Sequence, residues 1–393
     1  MTDRKHHLDW LRVLAFALLI LFHTGLLYVT WAYNLKSPRL VPWLEWPMSA
    51  LGAWRMVMIF VISGVASRFL LGKLGAGGFA WNRLLRLQPV ILFGMFVVIP
   101  PQTWIELVDK GVTQQGYLDF WLGSYLRADQ SLVAPLGKTV PTWDHLWFLV
   151  YLFAYAMVLS ALFGAVGREQ WARFEARLPL AGFLLVPPIM LAAGHVVIDR
   201  WAPQTWSFVN DWGAHLIWIA AFSAGVLAAG RGDFWRLVEA RRRGLALAAV
   251  ALLAVNLACR AWAMSQPPHG AGSLAYWVSD GLYGWATVLA VFGYGARYLN
   301  RPSAVLSYLN EAVLPIYVLH QPILLISAYL LFPVRLPLPL EGALLVLITA
   351  GPALAIYHLA IRPIGPMRFL FGVKPKPAAL PRKRTRMAAE DVA

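Results

Sequence analysis

Arg12 and His23 stand eleven residues apart in one apolar run near the start of the chain. In an α-helix, eleven steps return to within about 20° of the starting face, about 17 Å further along the axis. A guanidinium and an imidazole would therefore share one stripe at two depths. Arg83 and Arg86 are three residues apart and also face one way on a helix. Guanidinium groups match phosphate geometry, and a neutral imidazole in a partly dry site is a general base near neutral pH. These spacings predict a phosphorylated ligand held by Arg12, Arg83 and Arg86, with Arg68 beside them. They predict a proton taken by His23 at another level.

A second polar set is scattered through other apolar runs: Asp144 and His145, His195, Asp211 and His215, Arg260, Asp280, and Tyr317 with His320. Ionisable groups inside a membrane are costly and mark function by default. Most of these fall towards one side, which predicts a polar cavity there, with His145, Tyr317 and His320 as substrate-contact candidates. Glu311 and His358 are exceptions to that bias.

The elements that must position these groups follow from composition. The 393 residues are 59% hydrophobic and 13% charged, far from the roughly 25% charged of soluble domains. A spanning helix needs about 20 apolar residues. Ten such runs are visible, near 8–33, 48–71, 83–103, 143–165, 178–198, 210–230, 244–263, 277–298, 304–331 and 341–362. The fold class predicted is an all-α, polytopic membrane protein of about ten spans with both termini cytoplasmic. In that topology 23 of the 34 Lys and Arg lie inside and seven outside, as the positive-inside rule requires. The net charge of +15 is then a consequence of topology, and nucleic acid is excluded as its cause. Residues 1–372 form one transmembrane domain, and 373–393 read as a basic, disordered cytoplasmic tail able to touch anionic lipid.

Several chemistries are absent. Cys259 is the single cysteine, and no His/Cys spacing or H-E-x-x-H supports a metal. Ser63 lies in Ile62-Ser63-Gly64, without a nucleophile elbow. The glycines at 72–78 lack the Lys-Ser/Thr end of a phosphate-binding loop. A polytopic exporter of a glycan or acyl compound and an envelope scaffold are the alternative classes.

Five pieces in order carry a family resemblance: Arg12-x10-His23, Phe60-Val61-Ile62-Ser63-Gly64, Arg83-Leu84-Leu85-Arg86, His145-Leu146-Trp147-Phe148-Leu149 and Pro315-Ile316-Tyr317-Val318-Leu319-His320. The chain resembles the membrane-bound acyltransferase 3 family over nearly its whole length, in particular the glucan biosynthesis protein C-like O-acyltransferases of the bacterial inner membrane. The resemblance implies transfer of an acyl group from cytoplasmic acyl-CoA to a hydroxyl of an extracytoplasmic carbohydrate. It makes His23 the catalytic histidine, Arg12 its motif partner, and Arg83 with Arg86 the donor-binding pair, with no metal. The acyl chain is not legible. A succinyl donor would want one more cation near the thioester, for which Arg55 and Arg260 are available unless they neutralise Asp144, Asp211 or Asp280.

Overall fold

In the computed structural model, which describes residues 5–375, every element is helical. The principal helices are α1 (His6–Leu26), α2 (Glu45–Phe93), α3 (Pro100–Asp109), α4 (Trp147–Val166), α5 (Leu180–Arg200), α6 (Trp212–Ala228), α7 (Arg242–Met264), α8 (Ala271–Tyr298), α9 (Ala304–Leu331) and α10 (Leu338–Ile356). Among the described residues, seven helical stretches are long and apolar enough to cross a membrane. The pair Trp212–Ala228 and Gly232–Ala240, bent by 105°, makes an eighth if taken as one span. The outward side chains are those lipid requires: of α7 only Ala249 and Asn256 are buried, while Leu247, Val250 and Val255 are exposed.

One of the seven stretches, Pro42–Asp109, is 68 residues long and holds a reversal. Gly75 has φ 70 and ψ 175, a region open to glycine because it has no Cβ. Arg83 Nη2 donates to Ser67 Oγ at 3.1 Å across a sequence gap of 16, where a straight helix would separate them by about 24 Å. The two arms of α2, residues 45–74 and 76–93, therefore fold back on each other. The third apolar run, placed at 83–103 from hydropathy, is helical from just past Gly75, because its amphipathic first turns, with Asn82 and Arg83, are helical too. After Phe93 the chain widens into a π turn at Gly94–Val98 and restarts as α3. Pro100 and Pro101 open α3, where a missing N–H costs nothing.

Helix α1 packs among α2, α8, α9 and α10, burying Leu8, Leu11, Ala15 and Leu19. At its far end Lys36 Nζ donates to the carbonyls of Leu26 and Val29 at 2.6 and 2.7 Å. A cation is favourable at a helix C-terminus, and burial lowers this ammonium to about 8. Residues 27–41 fold back over that end through Ser37 N to Leu27 O at 2.8 Å and Val41 N to Tyr28 O at 2.6 Å. Beyond α10, Arg368 pairs with Glu311 at 3.2 Å, and Val373 is buried. The packed body thus reaches past residue 372, and the rest of the tail read from sequence lies outside the described residues.

Candidate functional site

Helices α1 and α9 place the two stations. Arg12 Nε donates to Asn310 Oδ1 at 3.0 Å, and His23 Nδ1 lies 2.7 Å from His320 Nε2. The contacts are eleven residues apart on α1 and ten on α9, or about 17 and 15 Å of helix rise. Two helices that touch at both points run parallel and in register, so Arg12 and His23 are held at opposite levels of one seam.

At the arginine level, Asp9 accepts from Arg12 at 3.5 Å and from Asn310 Nδ2 at 3.2 Å. Arg83 lies within electrostatic reach of both Arg86 and Arg12. Its Nε is buried without a hydrogen-bond partner, and its guanidinium rests on the Phe79 ring at 5.1 Å. Arg86 Nε donates to Gly372 O at 3.1 Å. The structure thus brings Arg12, Arg83 and Arg86 together. Arg68 stands apart from this cluster: its Nε and Nη2 grip the Glu175 carboxylate at 2.7 and 2.8 Å. The fourth arginine of the sequence-derived group is therefore an ion-paired latch onto the short helix Arg168–Arg177. A bidentate pair spends the fork that a phosphate would need.

At the histidine level the hydrogen bonds set the tautomers. His320 Nδ1 is 2.6 Å from Tyr317 O, and a carbonyl only accepts, so His320 Nδ1 carries hydrogen and its Nε2 is the acceptor. His23 must then donate from Nδ1 to His320 Nε2, which leaves the basic lone pair on His23 Nε2. His145 is fixed by a proline. Pro322 has no N–H for the carbonyl four residues earlier, and that freed carbonyl, Val318 O, accepts from His145 Nε2 at 3.0 Å. His145 Nδ1 is left buried without a partner. The Tyr317 hydroxyl donates to His145 O, and its ring meets Phe16 at 5.4 Å. His145 and His320 rings are 5.4 Å apart, so the sequence candidates His23, His145, Tyr317 and His320 form one cluster. Tyr317 acts in it as a clamp, its hydroxyl already spent.

A buried polar network adjoins the cluster. Gln321 Nε2 donates to Asp144 Oδ1 at 3.0 Å. Asn34 Nδ2 donates to Asp144 Oδ2 at 3.1 Å and to Glu106 Oε2 at 2.8 Å. Tyr33 stacks at an angle on His23, centroids 6.0 Å apart, with its hydroxyl buried and unpartnered. Gln102, one turn from Glu106 on α3, has both amide atoms buried and unpartnered. Buried polar groups ordinarily find partners, so these orphans outline where a polar ligand would bond. The sequence reading missed Asn310 and Gln321 because it sorted only ionisable groups. Their eleven-residue spacing in an apolar helix repeats that of Arg12 and His23 and was the available signal. Other intramembrane groups are spent elsewhere: Asp211 on Tyr151 and Thr205, His215 on Tyr155 and the Phe208 carbonyl, Asp280 beside Asn256 and His195, and Arg260 on Glu45 at 3.3 Å. His358 accompanies Tyr308 at 3.1 Å.

A family model described as an acyltransferase domain matches residues 5–358. The chain belongs to this acyltransferase family. Glucans biosynthesis protein C of Salmonella paratyphi A is 28% identical to the acyltransferase over 403 aligned positions, covering 95% of this chain and 96% of that one. The protein of the same name in Shigella dysenteriae serotype 1 is 27% identical over 393 positions, with the same coverage. No solved structure matches the acyltransferase. It is a helical membrane enzyme, and the match spans both the arginine and the histidine stations.

Proposed function

We propose that the enzyme moves an acyl group, of the acetyl or succinyl class, from cytoplasmic acyl-CoA to a hydroxyl of an extracytoplasmic carbohydrate in the bacterial inner membrane. The observation that carries this reading is the seam of α1 and α9, with arginines at one level and a lone-pair-bearing His23 Nε2 at the other. In this reading α1, the two arms of α2 and α4–α10 are the ten spans, both termini are cytoplasmic, and Arg12, Arg83 and Arg86 face the cytoplasm. There they take the phosphates of the coenzyme, and its pantetheine arm reaches the thioester along the seam towards His23. The named relatives point to a glucan as the acceptor class. The Tyr33, Asn34, Asp144 and Gln321 network lies on the acceptor side, and amides, carboxylates and phenols are the groups that pair with sugar hydroxyls.

In this reading His23 Nε2 takes the proton of the acceptor hydroxyl as its oxygen attacks the thioester carbonyl. His320 holds His23 in the required tautomer through the Tyr317 carbonyl, as a third group orients the base in other nucleophile–base pairs. Positive charge that arises on His23 is then shared along the imidazole chain. An enzyme fills the role that the exporter and scaffold readings offered. The test uses inverted membrane vesicles given acyl-labelled CoA outside and glycan within. Label should appear on the enclosed glycan only when the protein is present. Transfer without acyl-CoA, or glycan crossing unmodified, would overturn the proposal.

A further inference from the structure

Two arginines inside the helical body were open from sequence, and the structure separates them. Arg260 is neutralised by Glu45 at 3.3 Å and lies against the rings of Trp31, Trp46 and Tyr276. Arg55 has no such partner. It is 3% exposed, on the arm of α2 that faces α1, and its Nε and Nη1 are buried without a hydrogen-bond acceptor among the described residues. No carboxylate pairs with it there. Its guanidinium carbon lies 4.2 Å from the Phe22 ring. Phe22 adjoins His23, with ring centroids 6.2 Å apart. The charge of Arg55 reaches both His23 and His320.

A buried cation without a counter-ion is strongly unfavourable. Beside a general base, that arrangement has a use, because donors fixed in a dry site act most strongly on charge that develops only during the reaction. We propose that Arg55 is a catalytic residue that binds the oxyanion of the acyl transfer. This inference rests on His23 acting at the thioester, as set out above. The acceptor oxygen forms a bond to the thioester carbon, its proton passes to His23 Nε2, and the carbonyl π pair moves onto the carbonyl oxygen. Arg55 donates from its free N–H groups to that negative oxygen. The pair then returns, the C–S bond breaks, and the coenzyme thiolate leaves and regains the proton from His23. Atoms and charge balance without any further reactant. Phe22 holds the guanidinium against its ring at 4.2 Å, so the donors are positioned before substrate arrives.

An interaction made only in the transition state lowers kcat when removed and spares KM. Arg55→Gln and Arg55→Lys are compared with the unaltered enzyme in membranes, at matched abundance and thermal stability, with the acyl-CoA that the enzyme turns over. The expected result for Arg55→Gln is a fall in kcat of about 10²–10³-fold, the usual effect of losing an oxyanion donor, with donor KM within about threefold. Arg55→Lys keeps the charge but not the planar fork, so its kcat should lie between the two. Should Arg55→Gln fail to accumulate, Arg55→Lys carries the same split between kcat and KM. Unchanged kcat in a folded variant overturns the proposal. A rise in donor KM at constant kcat overturns it as well, because that marks an anion already present in the bound donor, such as a carboxylate on the acyl chain. His23→Ala is measured alongside. If it is inactive while Arg55→Gln is normal, only this inference falls; if it is fully active, the reading beneath it falls.

Discussion

Gly64 and Gly225 cross at the contact of α2 with α6, and one methyl group there should disturb the site from a distance. A Cβ placed on Gly225 would lie 2.0 Å from Val61 O, and one on Gly64 would lie 2.1 Å from Phe222 O and 2.8 Å from Val226 N. Ordinary contact begins at 3.4 Å, so Gly225→Ala requires the two backbones to separate by about 1.4 Å, with no flexible side chain to absorb the shift. Overpacking costs about 1–3 kcal/mol, and contact on backbone puts this case near about 3 kcal/mol. For a chain of this size that corresponds to a fall of about 4 °C in Tm. The displaced first arm of α2 carries Arg55, and a misplacement of about 1 Å in a reactive geometry can cost about 10²-fold in rate. Intrinsic tryptophan fluorescence of the solubilised protein, with its 19 Trp, reads the Tm, and acyl transfer in membranes reads the rate. Gly351→Ala is the control: it lies inside α10 with nothing within 4 Å of the added methyl, and should be neutral or slightly stabilising. Gly225→Ala with unchanged Tm and turnover would refute the crossing argument.

Arg68→Ala should lower Tm, by about 2 kcal/mol of stability for the lost charged hydrogen bonds, and leave donor affinity unchanged in a binding assay with acyl-CoA. Arg83→Ala combined with Arg86→Ala should weaken donor binding about tenfold or more in the same assay. Pro322→Ala restores an N–H that competes with His145 for Val318 O, so turnover should fall about tenfold while Tm holds or rises, since proline inside a helix is costly. Gln321→Leu removes the donor to Asp144 and Asn34, and steady-state kinetics should show acceptor KM raised severalfold with donor KM unaffected.

The helical class was legible because lipid leaves its mark on every outward residue, as in the apolar face of α7. The joint spacing of Arg12 and His23 was legible because a helix has one geometry. The partners of those residues were not. Asn310 and His320 come from nearly 300 positions away, and only packing decides which face of α9 meets α1. Arg68 and Arg83 look alike as basic residues at the ends of apolar runs. What separates them is Glu175, which reaches Arg68 from a surface helix that hydropathy does not see. Arg55 and Arg260 were equivalent candidates in sequence for the same reason, since a counter-ion such as Glu45 is a tertiary fact. Proline at 322 could be read only as a kink, because its effect on His145 depends on a histidine from another element.

The proposed role of His23 Nε2 as the base of the acyl transfer is put to the test by His23→Ala. Membranes that carry the variant at wild-type abundance are supplied with labelled acyl-CoA and glycan, and transferred label is counted under saturating donor. Loss of a general base costs about 10²–10⁴-fold; transfer should therefore fall by at least about 100-fold while donor binding at Arg12, Arg83 and Arg86 stays intact. Transfer at the wild-type rate would contradict the account.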